Sequence, residues 1–323
     1  MIPADSSFEN VLETDNHSDT NHSQRLDRKR LNTTHAPKTA DSALIRSLFT
    51  SLMNRIDAWG VTFIICIMVF YLHDAISLET VFLSVAMAGM YWLGYVVNDY
   101  FDAPFDSHDK TKVQHNVFVK HPVSPRVAKT GFLAIGVLFL LAFTQFGLRG
   151  GVIFGVSLFV MWAYSAPPFR LKSRPGLDLL THALFVQTFS YLSCLLLIRA
   201  EWTSADLALL GVNFLASLSG QLAQQLRDFQ VDSDTDTNFA TTVGRGTTVT
   251  FLRVVTFALM LLVFVALVTG TIPLYLAPFA AAFVPASIQR LRGHGIGPRF
   301  RRVAPYATVG ALFYLVLLLT FSL

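Results

Sequence analysis

The sequence predicts an all-α protein that crosses a membrane nine times. Of its 323 residues, 53% are hydrophobic and only 14% are charged, whereas a soluble domain usually carries about 25% charged residues. Nine apolar, almost uncharged runs follow one another along the chain, each close to the roughly 20 residues that a helix needs to cross hydrocarbon. The cations between these runs fall almost entirely in alternate loops. Together these observations predict a polytopic helical membrane protein.

The first 42 residues are expected to form a disordered tail. Residues 1–42 are rich in Ser, Asp, Asn, Thr and His and contain almost no apolar run. Such a segment cannot bury enough apolar surface to offset the entropy that is lost on ordering. It contains too many acids for a transit peptide and lacks the apolar core of a secretory signal. The predicted membrane domain is therefore 43–323, and its first stretch, 43–57, fits an amphipathic helix at the membrane interface.

The nine predicted spans are separated by connections that range from two residues to 33. They occupy residues 59–76, 80–97, 131–148, 151–166, 178–198, 206–224, 251–269, 272–288 and 305–323. Each run is long enough, or nearly long enough, to cross the hydrocarbon core as a helix.

The placement of cations predicts the orientation of these spans. If the N-terminus is cytoplasmic, the cytoplasmic loops carry sixteen cations, whereas the opposite loops carry only Arg149 and Arg199. The sixteen are Lys110, Lys112, Lys120, Arg126, Lys129, Arg170, Lys172, Arg174, Arg227, Arg245, Arg253, Arg290, Arg292, Arg299, Arg301 and Arg302. Because cytoplasmic loops are enriched in Lys and Arg, this asymmetry predicts nine spans, with the C-terminus on the opposite side. The net charge of +4 is modest, and no nucleic-acid partner is expected.

Acidic residues are scarce in the predicted membrane domain and are clustered. Of thirteen Asp and Glu residues beyond residue 57, eight lie within 98–109 or 228–236. Each cluster begins where an apolar run ends, after the second and the sixth span, so both are predicted on the cytoplasmic face. Acids so close to hydrocarbon are energetically costly and usually functional. The alternative, that both clusters are solvated turns, leaves their matching positions unexplained.

The spacing within each cluster predicts a metal and diphosphate site. Asn98, Asp102 and Asp106 are four residues apart, as are Asp228, Asp232 and Asp236, so each set projects from one helix face. Carboxylates stacked in this way repel one another unless a cation lies between them. Hard oxygen ligands suit Mg²⁺, which commonly bridges carboxylates to phosphate oxygens. Neighbouring Lys and Arg would bind the remaining phosphate charge.

Three segments of this sequence resemble the UbiA superfamily of intramembrane prenyltransferases. The first family motif, N-D-x-x-D-x-x-x-D, is similar to residues 98–106, and the second, an Asp pair followed by Thr and Gly, is similar to 228–244. The loop 164–176 resembles the family's Y-S-x-P-P-x-R-x-K segment. The resemblance covers about residues 44–323, and it implies a ring of nine helices around a central cavity with the acids at its cytoplasmic mouth.

The resemblance also implies a function and a set of site residues. The expected reaction is Mg²⁺-dependent transfer of a prenyl group from an allylic prenyl diphosphate to a lipophilic acceptor in the bilayer. The implied metal ligands are Asn98, Asp102, Asp106, Asp228, Asp232 and Asp236, and Asp102, Asp106, Asp228 and Asp232 among them are the implied catalytic residues. Diphosphate contacts are expected from Asn98, Lys120, Arg126, Arg170 and Lys172, and cavity contacts from Tyr164, Ser165 and His182.

Some features of the reaction stay open at this level. Residues 120–126 depart from the family's R-P-[IL]-x-S-G-R segment, with His121 in place of Arg and Pro125 in place of Gly. The identity of the acceptor therefore cannot be inferred from the family. The acceptor could be aromatic or a polyprenyl or carotenoid-like lipid, and the donor chain length is not specified. A membrane terpene cyclase would use the same ionisation step. A secondary transporter is a further alternative, although the acids lie at the membrane edge rather than at a span centre.

Overall fold

The computed structural model describes residues 38–107, 113–114, 116–293 and 298–322, without the side chains of 38–42, 234–235, 298–303 and 322. Contacts divide the chain into a unit that ends at Ala43 and a unit that comprises Leu44–Leu323. The predicted tail lies outside the described residues, apart from the helical backbone that starts at Lys38.

Within the described residues, the polypeptide is entirely helical apart from turns and short connections. The α-helices are α1 Lys38–Asn54, α2 Ile56–Leu72, α3 Leu78–Asp106, α4 Val117–Lys120, α5 Pro125–Thr144, α6 Gly147–Ser165, α7 Leu177–Ala183, α8 Phe189–Ile198, α9 Ser204–Thr235, α10 Phe239–Val243, α11 Arg245–Val268, α12 Ala277–Leu291 and α13 Pro298–Ser322. A π-helical turn, Leu184–Thr188, joins α7 to α8 without interrupting the helical path. The all-α prediction is confirmed.

The two long helices that carry the acidic clusters begin in the same way. The Ser77 hydroxyl accepts a hydrogen bond from the backbone of Thr80, and the Thr80 side chain accepts one in return from the Ser77 backbone. Thr203 and Asp206 form the equivalent reciprocal pair at the start of α9. These capping boxes satisfy backbone N–H groups that a helix start otherwise leaves unpaired. Helices of 29 and 32 residues follow, and both are long enough to extend their acidic ends beyond hydrocarbon.

Every predicted apolar run coincides with a described helix, but the helices differ in length. Seven of them are long and apolar enough to span a membrane, and α1 with α2 forms a further candidate that is bent by 61°. The last apolar run before the C-terminal span is helical only as α12, which has 15 residues and follows a 3-10 turn at Leu274–Leu276. By length and composition, the described helices therefore support seven or eight crossings. The number nine stays a prediction.

Packing between successive helices closes the described bundle on itself. Contacts join α2 to α3, α3 to α5, α5 to α6, α6 to α8 and α8 to α9. They continue from α9 to α11, from α11 to α12 and from α12 to α13, and α13 returns to α2. Neighbour-to-neighbour contact that ends where it began describes a ring of helices, as the resemblance implied.

The apolar residues divide between helix contacts and the outside of the bundle. Phe70, Phe143 and Leu195 are completely buried and belong to one cluster formed by α2, α3, α5, α6 and α8. In contrast, Leu133 and Phe313 are each 65% exposed. Large exposed apolar side chains on long helices are unfavourable in water but are expected against lipid. The distribution matches a bundle that is surrounded by hydrocarbon.

Candidate active site

A single cavity of about 310 Å³ brings the two acidic clusters together. Asp102 on α3 lines it, as do Asp228 and Asp232 on α9 and Asp236 directly after α9. The acidic ends of α3 and α9 therefore lie at the same end of the helical unit. This arrangement agrees with the prediction that both clusters are on one side of the membrane.

Asp102 is the centre of a charged network at the cavity mouth. Its carboxylate accepts a hydrogen bond of 2.8 Å from Nδ2 of Asn98, and both of its oxygens contact Nζ of Lys172. Lys172 also donates to Oδ1 of Asn98 at 2.8 Å, and the Ser165 hydroxyl donates to the same oxygen at 3.2 Å. The guanidinium of Arg170 lies 3.5 Å from Asp102. Three side chains thus contact one carboxylate, and two of them are cations.

The loop after α6 places these cations. Arg170 has a left-handed backbone conformation with φ of 39°, and its side chain donates to the Ser173 hydroxyl at 3.0 Å. Its guanidinium also lies 4.2 Å from the centre of the Phe105 ring, which is a cation–π distance. Gly176, with φ of 84°, ends the loop in a conformation that favours glycine. Burial lowers the pKa of Lys172 below its ordinary value, and the adjacent Asp102 carboxylate opposes this shift.

The other acids of the first cluster have different partners. Asp99 is largely buried, and both of its carboxylate oxygens accept hydrogen bonds from Arg55, at 3.1 and 3.2 Å. Asp106 accepts a hydrogen bond of 2.9 Å from Asn116, which also bonds to the backbone carbonyl of Asp99. Neither Asp99 nor Asp106 is among the described residues that line the cavity. Of the three acids in the first motif, Asp102 is the one that lines it.

The second cluster is held mainly by residues close to it in sequence. The Arg227 guanidinium makes two hydrogen bonds to Asp228, at 2.7 and 2.5 Å. Asp232 accepts one of 3.1 Å from Asn238, the residue that caps α10. Asp236 is the C-cap residue directly after α9, and its carboxylate accepts a hydrogen bond from the Thr237 backbone.

A buried acid behind this cluster was not predicted as a site residue. Asp178 is completely buried, and it accepts hydrogen bonds from Gln225 at 2.6 Å and from the Phe239 backbone at 2.8 Å. Gln225 in turn accepts one from the Ala240 backbone at 3.1 Å. These bonds join α7, α9 and α10, so they fix the segment that follows the second cluster. The one signal in the sequence is an acid at the start of an apolar run, where a charge is costly.

Uncharged polar side chains line the cavity below the mouth. Tyr164 and His182 are among them, and Gln221 lies 3.4 Å from the Tyr164 hydroxyl. The predicted cavity residue Ser165 also lines the wall. Apolar residues continue the wall beyond this band: Met87, Met90, Met161, Phe185, Val186 and Phe189.

Two predicted diphosphate contacts lie elsewhere. Lys120 at the end of α4 and Arg126 at the start of α5 are exposed, and neither lines the described cavity. Arg170 reaches the site through Asp102, although it is not part of the lining. The roles of all predicted site residues stay predictions.

The donor set fits a magnesium ion that a ligand completes, rather than one enclosed by protein alone. Among the described residues, no three Asp, Glu, His or Cys side chains lie close enough together to hold a metal ion. Mg²⁺ is often bound by one or two carboxylates together with water and substrate phosphates, rather than by an all-protein cage. Carboxylates from two helices around one cavity mouth provide that kind of site.

The helical ring and its apolar exterior define an integral, multi-pass membrane protein. The model of the UbiA prenyltransferase family matches residues 59–303, which is more than half of the chain. The chain therefore belongs to the UbiA prenyltransferase family. No curated protein sequence matches it significantly.

Solved structures of UbiA homologues from Archaeoglobus fulgidus share the fold. One, bound to GPP and Mg²⁺, is 17% identical with a TM-score of 0.64, and the match covers 81% of this chain and 96% of that chain. A second, bound to DMAPP and Mg²⁺, is 17% identical with a TM-score of 0.55, covering 81% and 84%. A third is 15% identical with a TM-score of 0.63, covering 83% and 97%. At these identities, the likeness shows the fold alone.

Proposed function

We propose that the protein transfers a prenyl group from an allylic prenyl diphosphate to a lipophilic acceptor in a Mg²⁺-dependent reaction. The observation that carries this proposal is the convergence of Asp102, Asp228, Asp232 and Lys172 at the polar end of a cavity whose far walls are apolar. A prenyl diphosphate has the same division into a charged head and an apolar tail. The Archaeoglobus fulgidus homologues bound to GPP or DMAPP with Mg²⁺ support the assignment.

The proposed donor would bind with its diphosphate at the mouth. Asp102, Asp228 and Asp232, assisted by Asn98, Asp106 and Asp236, would hold Mg²⁺, which when bound neutralises the charge that develops on the leaving diphosphate. Lys172 and Arg170 would contact the phosphate oxygens directly. Because both cations contact Asp102 in the described structure, diphosphate would draw them away and free that carboxylate for the metal.

The reaction breaks one bond and forms one bond at the allylic carbon. The carbon–oxygen bond to the diphosphate breaks, and its electron pair leaves on the diphosphate oxygen. An electron pair of the acceptor then forms the new bond to the allylic carbon, and the acceptor loses a proton to a base. The cavity walls must exclude water, which would otherwise capture the allylic cation. Tyr164 lines the cavity, and its aromatic ring would stabilise that cation.

We further infer that the mouth faces the cytoplasm, as the N-terminus does, and that the C-terminus lies on the opposite side. The support is the sixteen cations in one set of loops and the two in the other. Accessibility of single cysteines introduced at Lys120 and at Glu201 would test the orientation. Labelling of the Glu201 site from the cytoplasm would contradict it.

The function is tested with purified protein in lipid vesicles and a radiolabelled prenyl diphosphate. We expect release of diphosphate with Mg²⁺, its loss when EDTA is added, and its recovery when Mg²⁺ is restored. Asp102→Asn and Asp228→Asn should each lower the rate by about 100-fold or more, because each removes a charge that stabilises the leaving group. Glu201→Gln, at an exposed acid in the loop before α9, serves as the control. Undiminished Mg²⁺-dependent turnover in both Asp variants would contradict the proposal.

A further inference from the structure

The last quarter of the chain carries cations without acids. Residues 237–323 contain seven Arg and no Asp or Glu. Two of these arginines, Arg253 on α11 and Arg292 directly after α12, are exposed. In the part of the chain that the structure describes, no ion pair joins either of them to an acid, whereas Lys172 at the cavity mouth pairs with Asp102. Their charges are therefore available to an anion from outside the chain.

The side chain of Arg253 reaches the C-terminal end of α12. Its Nε donates a hydrogen bond of 3.0 Å to the carbonyl oxygen of Leu291, and its Nη2 donates one of 3.4 Å to that of Arg292. Position 293 is a glycine, and a Cβ atom there would lie only 2.9 Å from Nη2 of Arg253. The partial negative charge of a helix C-terminus attracts a cation but does not cancel its full charge. These contacts hold Arg253 beside Arg292.

Arg290 adds a third positive charge at the same helix end. Its Nη1 donates a hydrogen bond of 2.6 Å to the hydroxyl of Ser219 on α9, and the contact is partly buried. None of the ion pairs among the described residues includes this guanidinium. A hydroxyl orients a guanidinium without neutralising it, and a partly buried charge is less screened by solvent. Arg290 therefore raises the positive potential around Arg253 and Arg292.

Both helices continue from these arginines as exposed apolar stripes. On each helix, exposed apolar side chains stand at intervals of four residues from the arginine, which places them on one helix face. They are Phe257 and Leu261 after Arg253 on α11, and Val284 and Ile288 before Arg292 on α12. The two helices pack against each other, and the bond from Arg253 to Arg292 puts both arginines at the same end. We call this surface the basic-apolar face.

The basic-apolar face is separate from the candidate active site. None of its described residues lines the cavity. Only α10 separates the start of α11 from the acidic end of α9, so its arginines are on the side of the cavity mouth. An anion bound there would lie outside the ring of helices.

The chemistry of this face matches one class of ligand. A phospholipid has a phosphate at one end and apolar acyl chains at the other, in the same order as the arginines and the stripes. Basic pockets between membrane helices bind anionic headgroups in this way. A zwitterionic headgroup also carries an ammonium group, for which residues 237–323 provide no acid. A free phosphate would leave the apolar stripes without a partner.

We propose that the basic-apolar face binds an anionic phospholipid. Its phosphate contacts Arg253 and Arg292, within the positive potential that Arg290 reinforces. Its acyl chains lie along Phe257 and Leu261 on α11 and along the stripe of α12. This lipid is a ligand of the membrane-facing surface and is neither donor nor acceptor in the proposed prenyl transfer.

The test titrates the purified full-length protein in detergent with phosphatidylglycerol and with phosphatidylcholine of identical acyl chains. Native mass spectrometry measures the affinity of the first bound lipid. We expect phosphatidylglycerol to bind at least about tenfold more tightly, because its net negative charge faces two arginines. Inorganic phosphate in large excess should not displace it. Equal affinities for the two lipids overturn the proposal, and so does displacement by phosphate, which would assign the arginines to a free anion.

Variants of the two arginines measure their contribution. Arg253→Gln and Arg292→Gln should each weaken phosphatidylglycerol binding about fivefold, and the double variant about 25-fold, since each cation near an anionic headgroup contributes a similar amount. Arg253→Lys keeps the charge and should bind within about twofold of the parent, although it loses the planar guanidinium. Because Arg292 is exposed, its substitution should leave the melting temperature unchanged. Unaltered affinity in the double variant overturns the proposal.

A matched control removes the same charge from another part of the surface. Arg149→Gln/Arg199→Gln replaces two exposed arginines at the ends of α6 and α8 that are remote from the mouth. Its affinity for phosphatidylglycerol should stay within about twofold of the parent, because distant charges are screened. A loss equal to that of the Arg253→Gln/Arg292→Gln variant would show attraction to net charge alone and overturn the proposal.

The lipid site and the prenyl transfer can fail separately. Asp102→Asn should abolish most diphosphate release and leave phosphatidylglycerol binding intact, because Asp102 lines the cavity and the arginines do not. Lipid binding that is lost in Asp102→Asn would place the lipid in the cavity and overturn the proposal. Absence of any Mg²⁺-dependent diphosphate release contradicts the proposed function alone.

Discussion

The two acidic clusters have the same spacing in sequence but different surroundings in the structure. In the first, Asp102 lines the cavity, while Asp99 pairs with Arg55 and Asp106 bonds to Asn116. In the second, all three acids at positions 228, 232 and 236 line the cavity. The first cluster thus contributes one described carboxylate to the cavity wall and the second contributes three.

The clusters also differ in the origin of their cations. Asp102 contacts Lys172, which is 70 residues away in sequence, whereas Asp228 is bonded to its immediate neighbour Arg227. The side chains of Lys172 and Asp102 are only 12% and 16% exposed, against 25% and 30% for Arg227 and Asp228. A pair of charges that is less exposed is less screened by solvent. The first cluster should therefore depend more strongly on its cation than the second.

The largest expected effect on activity comes from substituting one acid in each cluster at the same time. If Asp102 and Asp228 act on one metal-bound diphosphate, the double variant Asp102→Asn/Asp228→Asn should be about as inactive as the worse single variant, because residues that act as a unit are not additive. Initial rates of diphosphate release at saturating Mg²⁺ provide the measurement. If the rate losses of the two single variants multiply in the double variant, Asp102 and Asp228 act independently. The two clusters would then not share one metal-bound diphosphate.

The next effect concerns the two cations. Lys172→Gln should raise the donor KM by about tenfold to a hundredfold, which corresponds to the roughly 1.5–3 kcal/mol of a hydrogen bond to a charged group. Arg227→Gln should raise it by no more than about threefold, because its pair is more exposed. The test is to measure the donor KM of both variants with the same acceptor. Equal effects would show that the two clusters use their cations alike.

A smaller effect is expected from the buried acid behind the second cluster. Asp178→Asn should lower the free energy of unfolding by about 1–3 kcal/mol, since an amide cannot accept all the hydrogen bonds from Gln225, Phe239 and Leu179. Thermal unfolding of the purified protein in detergent measures the change. Asp74→Asn, at an exposed residue between α2 and α3, is the matched control. A melting temperature equal to that of the control would show that Asp178 does not hold α7 and α10 together.

The smallest effect on activity is expected within the first motif itself. Asp99→Asn should lower kcat by less than about tenfold, because the Asp99 carboxylate faces Arg55 rather than the cavity and acts on the reaction only through packing. Its rate is compared directly with that of Asp102→Asn under the same conditions. Similar losses in the two variants would mean that both acids contact the metal or the diphosphate.

Much of the fold followed from the sequence because a membrane limits the possible structures. Backbone groups in hydrocarbon must be paired within the segment that carries them, so an apolar run of sufficient length predicts a helix directly. The runs, the acidic ends of α3 and α9 and the family motifs were all visible in this way. The run 272–288 was less informative, because a 3-10 turn follows Pro273 and shortens the helix to Ala277–Leu291.

The tertiary structure alone decided which side chains meet. Spacing placed Asn98, Asp102 and Asp106 on one helix face, but packing put only the first two on the cavity wall. The contact of Lys172 with Asp102 and the burial of Asp178 among three helices each depend on residues distant in sequence. Hydrophobic length and helical periodicity are local properties that a chain carries in its order of residues. The electrostatic surroundings of a side chain depend on the helices that pack beside it. Those neighbours are distant in sequence, so only the tertiary structure identifies them.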